Sequence, residues 1–300
     1  MDFEYGTTVW SSADWRTRAT AWADERLAEA GLARTGAVEQ PRVRPWATVL
    51  RIPTPAGAVW LKATGPEVAF EVGLYELLVR VAPERVLTPL ATDAARGWLL
   101  LPDGGPSLAD RGIDIAAALP VYARLQLDLA PHVEELLALG VADMRPAAMP
   151  ARFEEALAAI GGDDRLSALR PAVAEWCERL AASPVPASID HNDFHGFNIL
   201  AGERFYDWGD AVVAHPFASM LALEWVDTDE AGRASLRDAY LEPFADFAPH
   251  AELVETLTLA RRVARIARAL VWQRAIRAFG SEPVDEKWRS APGEWLRSLL

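Results

Sequence analysis

The sequence predicts an α+β fold in two parts, an antiparallel sheet with one helix followed by a mostly helical domain. Three observations carry this. Between residues 38 and 101, apolar residues recur in short strand-like runs broken by turn signals such as Thr54-Pro-Ala-Gly57. Beyond Ser107 the chain turns mostly helical and continues so to Leu300. One stretch in the second half, Ile189 to Asp210, gathers Asp, Asn and His between apolar runs. Strands in one half and helices in the other argue for α+β rather than a doubly wound sheet. The domains are expected at 1–103, with a helical appendage at 1–35, and at 104–300.

Composition limits the function classes. At 300 residues and 51% hydrophobic, the chain can form one large domain or two modest ones with sizeable cores. A net charge of −13 disfavours nucleic acid and anionic membrane as partners and favours a cationic small molecule. No stretch reads as a membrane span, and Met1-Asp2-Phe3-Glu4-Tyr5 is acidic without a secretory apolar region. The lone Cys177 cannot form an internal disulfide. A cytoplasmic protein is the expectation. Oligomeric state is not legible.

Taken in order, Ser11-Ser12-Ala13-Asp14 opens a helix running to Gly31, with serine to cap it and Asp14 at its positive end. Trp10, Trp15 and Trp22 anchor it, and nothing in it suggests chemistry. Val38–Val43, Ala47–Ile52 and Ala58–Lys62 form a three-strand meander. A helix follows, with Pro66 near its first turn and Glu71, Tyr75 and Leu78 at helical spacing. Leu87–Thr92 and Trp98–Leu101 form a second hairpin, which Pro102-Asp103-Gly104-Gly105 ends. Ile115–Leu139 is helical but interrupted at Pro120 and Pro131. Helices at 152–160, 164–182, 217–225, 233–240, 252–279 and 288–300 complete the chain.

The stretch I-D-H-N-D-F-H-G-F-N-I-L-A-G-E-R-F-Y-D-W-G-D carries the chemistry. Asn198-Ile-Leu-Ala and Arg204-Phe-Tyr-Asp207 read as two short strands, with Gly202 available for a positive φ in the turn. Such a hairpin brings Asn198 and Asp207 to one end. Two oxygen donors there suit Mg²⁺, which takes few protein ligands and completes its shell with phosphate and water. Asp193, a short loop earlier, is placed to accept a proton from a hydroxyl.

H-x-D-x-H-x-x-N followed by an apolar residue and D-W-G resembles the catalytic loop and metal segment of the aminoglycoside phosphotransferase-like and choline kinase-type small-molecule kinases. The resemblance spans roughly Val38 to Leu300 and is strongest at His191–Asp210. It implies a two-lobed protein-kinase-like fold, with Asp193 as catalytic base and Asn198 and Asp207 as Mg²⁺ ligands. It further implies that Lys62 holds the phosphates of ATP (or GTP) and pairs with a helix glutamate, Glu71 before Glu67. Lysine is rare here, only Lys62 and Lys287 among 30 basic residues, which makes its place at a strand end informative. Backbone groups of Leu101 and Asp103 are implied to meet adenine. His191 is read as structural, and His195 as either touching phosphate or shaping the loop. Two departures are visible: the gap from Asn198 to Asp207 is short, and Val43-Arg-Pro-Trp46 replaces a glycine-rich turn.

Other chemistries are disfavoured. Neither lysine follows a G-x-x-x-x-G, no G-x-S-x-G is present, and the remaining histidines, 132, 215 and 250, lack ligand spacing for a metal hydrolase. Asn192 precedes Asp193 where a protein kinase has arginine, so a small acceptor is expected instead. The resemblance implies that acids in the region of Glu224, Asp227, Asp229 and Glu230 face a cationic substrate; a solvated helix end explains the same charges equally well. The function expected is transfer of a phosphoryl group to a hydroxyl of a small, aminoglycoside-like molecule. A neutral sugar or amino alcohol as acceptor, or a non-catalytic nucleotide-binding protein, is the alternative.

Overall fold

Apolar side chains on alternate strand positions and on one helix stripe build the first layer. A computed structural model describes residues 4–300; the acidic start at Met1–Phe3 lies outside the described residues. The chain groups into two compact units. The first comprises Met1–Gly105, Arg204–Gly209 and Arg277–Pro283; the second comprises Pro106–Glu203, Asp210–Ile276 and Val284–Leu300.

In the first unit, α1 (Thr7–Trp10) and α2 (Ala13–Glu29) precede β1 (Glu39–Val43), β2 (Ala47–Thr54) and β3 (Gly57–Thr64). Then come α3 (Phe70–Val81), β4 (Ala91–Asp93) and β5 (Trp98–Pro102). The strands form one antiparallel sheet in the order β1-β2-β3-β5-β4. Ser12 caps α2 by accepting from the Trp15 N–H, and Gly57 turns the β2–β3 hairpin at φ 116°.

Residues 1–35 are not an appendage. Trp10, Trp15, Ala19, Trp22 and Leu27 are buried against Leu50, Ile52, Leu61 and Leu100 of the sheet. Trp15 and Trp22 both meet Trp98 edge to face, at 6.1 and 5.4 Å between centroids. An apolar sheet face needs a covering layer, and α2 supplies it. β4 is shorter than expected because Pro89 has no N–H to extend the pairing; the ladder begins where the Leu90 N–H reaches the Leu100 carbonyl.

The expected boundary at 103/104 is also revised, since Arg204–Gly209 and Arg277–Pro283 group with the first unit. Asp207 pairs there with Lys62, Phe279 packs at 6.3 Å from Trp46, and Thr7 bonds Glu282.

The second unit carries α4 (Ala118–Leu129), α5 (Val133–Ala138), β6 (Ala142–Asp143), α6 (Met149–Ala159), α7 (Asp164–Ser167) and α8 (Arg170–Ala181). β7 (Ser188–Asp190) and β8 (Ile199–Leu200) flank the loop that carries His191, Asp193 and Asn198. β9 (Arg204–Phe205) belongs to the first unit, and β10 (Val212–Ala214) returns to the second. α9 (Glu230–Leu241), α10 (His250–Arg277) and α11 (Glu286–Arg297) follow. β7 and β6 flank β10 in a small sheet. The helix expected at 217–225 is a tighter 3₁₀ turn series, Pro216–Trp225. No helix among the described residues is long and apolar enough to cross a membrane.

Candidate active site

In the first unit, Lys62 lies on β3 between Leu61 and Ala63, which are buried on the α2 face; period-two alternation turns Lys62 to the opposite face. There its Nζ donates to Glu71 Oε1 of α3 at 2.7 Å and to Asp207 Oδ1 at 2.6 Å. Glu71, only 1% exposed, also accepts from the Trp208 backbone. Burial alone lowers the pKa of the Lys62 ammonium, but Asp207 and Glu71 outweigh it and hold the group charged above its ordinary range. Burial pushes the Glu71 carboxyl up, and Lys62 opposes this.

Asp207 sits at φ 62°, a left-handed conformation that Asp tolerates better than bulky residues. Gly209 follows. A Cβ there would come within 3.4 Å of Glu71 Oε2 and 3.7 Å of Lys62 Nζ, so glycine lets this backbone lie against the ion pair. Trp208 is fully buried, with its indole N–H on the Phe205 carbonyl, so it serves as packing.

The end of β5 corrects one expectation. The Asp103 N–H donates to the Ala58 carbonyl, and Leu101 pairs with Trp60 two residues earlier. Antiparallel ladders alternate, so the backbone groups of Leu101 and the Asp103 N–H face β3 and are used by the sheet. The Pro102 carbonyl faces the other way. The Asp103 side chain accepts from the Gly105 N–H, shaping the loop.

In the second unit, β7 ends at Asp190 and the loop carries His191, Asn192 and Asp193, with Asn192 at φ 60°. His191 is buried, its backbone N–H on the Tyr122 hydroxyl and its ring edge-on to Phe194. His195 Nε2 lies 3.2 Å from Asp193 Oδ2. Asn198 Nδ2 donates to the Asp193 carbonyl at 2.9 Å and to Asp193 Oδ2 at 3.2 Å. With its amide nitrogen so engaged, Asn198 leaves Oδ1 as its acceptor. An amide oxygen and a carboxylate are donors of the hard class that Mg²⁺ takes, so Asn198 and Asp207, each within its own unit, carry chemistry suited to that ion.

Sequence reasoning missed Arg268 on α10. Its Nη2 donates to Asp193 Oδ1 at 2.7 Å, and its Nη1 to the Asn192 carbonyl at 2.8 Å and to Asp210 Oδ2 at 3.1 Å. Burial alone would raise the Asp193 carboxyl, but the His195 ring and the Arg268 guanidinium hold it well below the usual carboxylate range. The only signal available was a basic stripe, Arg261, Arg265 and Arg268, on one helix face.

A buried polar network under the loop was also missed. Asp190 accepts from Ser219 Oγ at 2.6 Å and the Asn192 N–H at 2.9 Å. Gln126 donates to the Ile189 and Pro216 carbonyls, and Tyr240 donates to Gln126 Oε1. These bonds satisfy buried groups that would otherwise destabilise the fold, and they fix the backbone entering Asp193.

The acids suggested for a cationic substrate divide. Glu224 accepts from Arg261 at 2.8 Å and from Arg265 at 2.9 and 2.8 Å. Asp229 caps α9 through the Gly232 N–H, and Glu230 occupies its first turn. Asp227 lies between them on an exposed segment.

No protein-family model and no curated protein sequence matches the chain. Solved structures do. A macrolide 2'-phosphotransferase type I is 16% identical, with a TM-score of 0.62, over 93% of this chain and 97% of that one. A choline/ethanolamine kinase family protein from Mesorhizobium loti is 18% identical, with a TM-score of 0.61, over 94% and 93%. An ethanolamine kinase from Plasmodium vivax is 10% identical, with a TM-score of 0.60, over 88% and 84%. The likeness is one of fold: the chain has the protein-kinase-like fold of these phosphotransferases.

Proposed function

We propose that this chain is a small-molecule kinase, moving the γ-phosphate of ATP (or GTP) to a hydroxyl of a small acceptor. The observation that carries this is the Lys62–Glu71–Asp207 cluster, on a chain whose Asp193 and Asn198 are bonded to each other in an H-x-D-x-H-x-x-N loop. In this reading Lys62 cradles the phosphates while Glu71 holds it in place. Asn198 and Asp207 would hold Mg²⁺, which would supply charge neutralisation for the transferring group. The Pro102 carbonyl, turned away from the sheet, is the backbone group offered to adenine. Asp193 orients the acceptor and takes its proton as the new O–P bond forms and the bond to the ADP leaving oxygen breaks. A loose transition state leaves positioning and charge neutralisation as the main sources of rate.

A neutral acceptor such as a sugar is favoured over a cationic one. Glu224 is already neutralised by two arginines and Asp229 is committed to a cap, so two of the four acids have structural work. The test is ADP release from Mg-ATP and Mg-GTP against aminoglycosides, amino alcohols, sugars and hydroxylated amino acids, with Asp193→Ala as control. Acceptor-dependent release that the substitution abolishes supports the reading. Tight Mg-nucleotide binding without release on any acceptor favours a binding protein, and no nucleotide binding sinks the kinase reading.

A further inference from the structure

We propose that Arg268 is a positioning residue for phosphoryl transfer, fixing Asp193 so that Oδ2 is the oxygen presented to the acceptor hydroxyl. This rests on the kinase reading above. The residue before Asp193 is Asn192, so the loop has no guanidinium of its own next to the base. α10 supplies one from 75 residues further along the chain.

The contacts are specific to a guanidinium. One planar group reaches Asp193 Oδ1 at 2.7 Å, the Asn192 carbonyl at 2.8 Å, Asp210 Oδ2 at 3.1 Å and, at the longer distance of 3.4 Å, Asn192 Oδ1. Arg268 is 14% exposed and lies over the Trp272 ring at 5.7 Å, so its own orientation is restrained. Asp210 is also approached by Arg274 at 3.5 Å, which holds the third point of the clamp. Arginine's fixed fork of donors can span three oxygens, whereas lysine's single ammonium carries the charge without that geometry.

The clamp divides the labour of the carboxylate. Oδ1 is held by the short bond to Arg268, while Oδ2 has only the two longer 3.2 Å contacts, to His195 and Asn198. Oδ2 is therefore the oxygen that can turn to a hydroxyl and take its proton. The carbonyl bond at Asn192, where the backbone is at φ 60°, fixes the peptide that aims the Asp193 side chain. Arg268 acts through Asp193 and touches no reacting atom.

The experiment follows ADP release from Mg-ATP with water as the acceptor, for the full chain and for Arg268→Ala, Arg268→Lys and Asp193→Asn. Arg268→Ala is expected to lower kcat about 100-fold, the scale of a small misplacement of a catalytic group, with the KM for Mg-ATP little changed. Arg268→Lys should stay well below the parent despite its charge. Guanidinium added to Arg268→Ala should restore part of the rate and none in Asp193→Asn. Unchanged kcat in Arg268→Ala, with Asp193→Asn impaired, overturns the proposal and leaves the kinase reading standing. So does a loss that follows melting temperature, or one that Arg268→Lys repairs in full. Equal ADP release by the parent chain and Asp193→Asn refutes the kinase reading, and the role of Arg268 falls with it.

Discussion

Replacing Lys62 with Met should destabilise the first unit, and replacing Glu71 with Met as well should largely reverse that loss. Glu71 is 1% exposed and Lys62 15% on its side chain, so Lys62→Met leaves a buried carboxylate without its cation. Breaking such a pair from one side costs about 3–5 kcal/mol, whereas replacing both partners with apolar groups of similar volume is often neutral. Here the double variant keeps a residual cost of about 1–2 kcal/mol, because the Trp208 N–H that Glu71 accepts is orphaned. Asp207 adds little, being 40% exposed and able to hydrate. The single variant also carries a pH signature. Burial pushes the Glu71 carboxyl up, and removing Lys62 removes the largest influence that opposes this. A carboxyl with a raised folded pKa costs stability as pH rises above its unfolded value, so the deficit of Lys62→Met should be larger at pH 8 than at pH 5. Urea melts of the parent, both single variants and the double variant at both pH values give the cycle, and Mg-ATP titrations of the same set should show nucleotide binding lost whenever Lys62 is absent. A double variant no more stable than Lys62→Met would falsify the argument that the pair is kept for phosphate binding rather than stability.

Four further outcomes are expected. Asp193→Ala should retain Mg-nucleotide binding and lose at least roughly 100-fold in turnover, measured as ADP release; unchanged turnover removes Asp193 from the role of base. Asp207→Ala should lose Mg²⁺-dependent nucleotide binding in calorimetry, and retained binding disproves the metal assignment. Trp15→Ala, in the fully buried layer between α2 and the sheet, should cost about 3–5 kcal/mol in chemical denaturation; a cost under about 1 would mean α2 is dispensable after all. His215 is buried, which lowers its pKa to about 3 from an ordinary 6.5. Its folded value is depressed, so the neutral ring imposes no penalty above pH 6.5, and stability falls as pH drops from there toward 3, by a few kcal/mol. His215→Asn should flatten that acid limb, and an unchanged limb would place the titration elsewhere.

Local spacing made much of this molecule legible. The β2–β3 hairpin follows from a turn signal between alternating apolar runs, and Phe70, Leu74 and Leu77 put the helix turn of Glu71, rather than that of Glu67, beside the core. Those are arguments about neighbours a few residues apart. The expectation for Leu101 and Asp103 turns on a related point. Composition marks where a strand ends, but which backbone groups are spent on the ladder depends on register with β3, and a one-residue shift exchanges the two faces. The same limit applies to α2. Its tryptophans were visible, but a helix with apolar anchors reads alike whether it is peripheral or forms half of a core, and only the sheet face it covers decides.

The loop around Asp193 shows where spacing stops informing. H-x-D-x-H-x-x-N defines side chains on one short segment, and His195 and Asn198 lie on Asp193 because two and five residues is all the chain allows. A carboxylate held by two contacts of 3.2 Å on its own loop is still free to turn. What restrains it comes from elsewhere: the Tyr122 hydroxyl on α4 takes the His191 N–H, Ser219 takes up Asp190, and Arg268 on α10 takes Asp193 itself. Each lies 29 to 75 residues away in sequence, on a helix whose apolar period explains its presence without that polar residue. No local rule separates Arg268 from Arg261 or Arg265, which share its face; those two end on Glu224, and Arg268 ends on Asp193. The motif therefore names the chemistry, while the geometry that chemistry needs is written into helices that look like scaffold. Substitutions in those helices should change turnover without altering any residue of the motif.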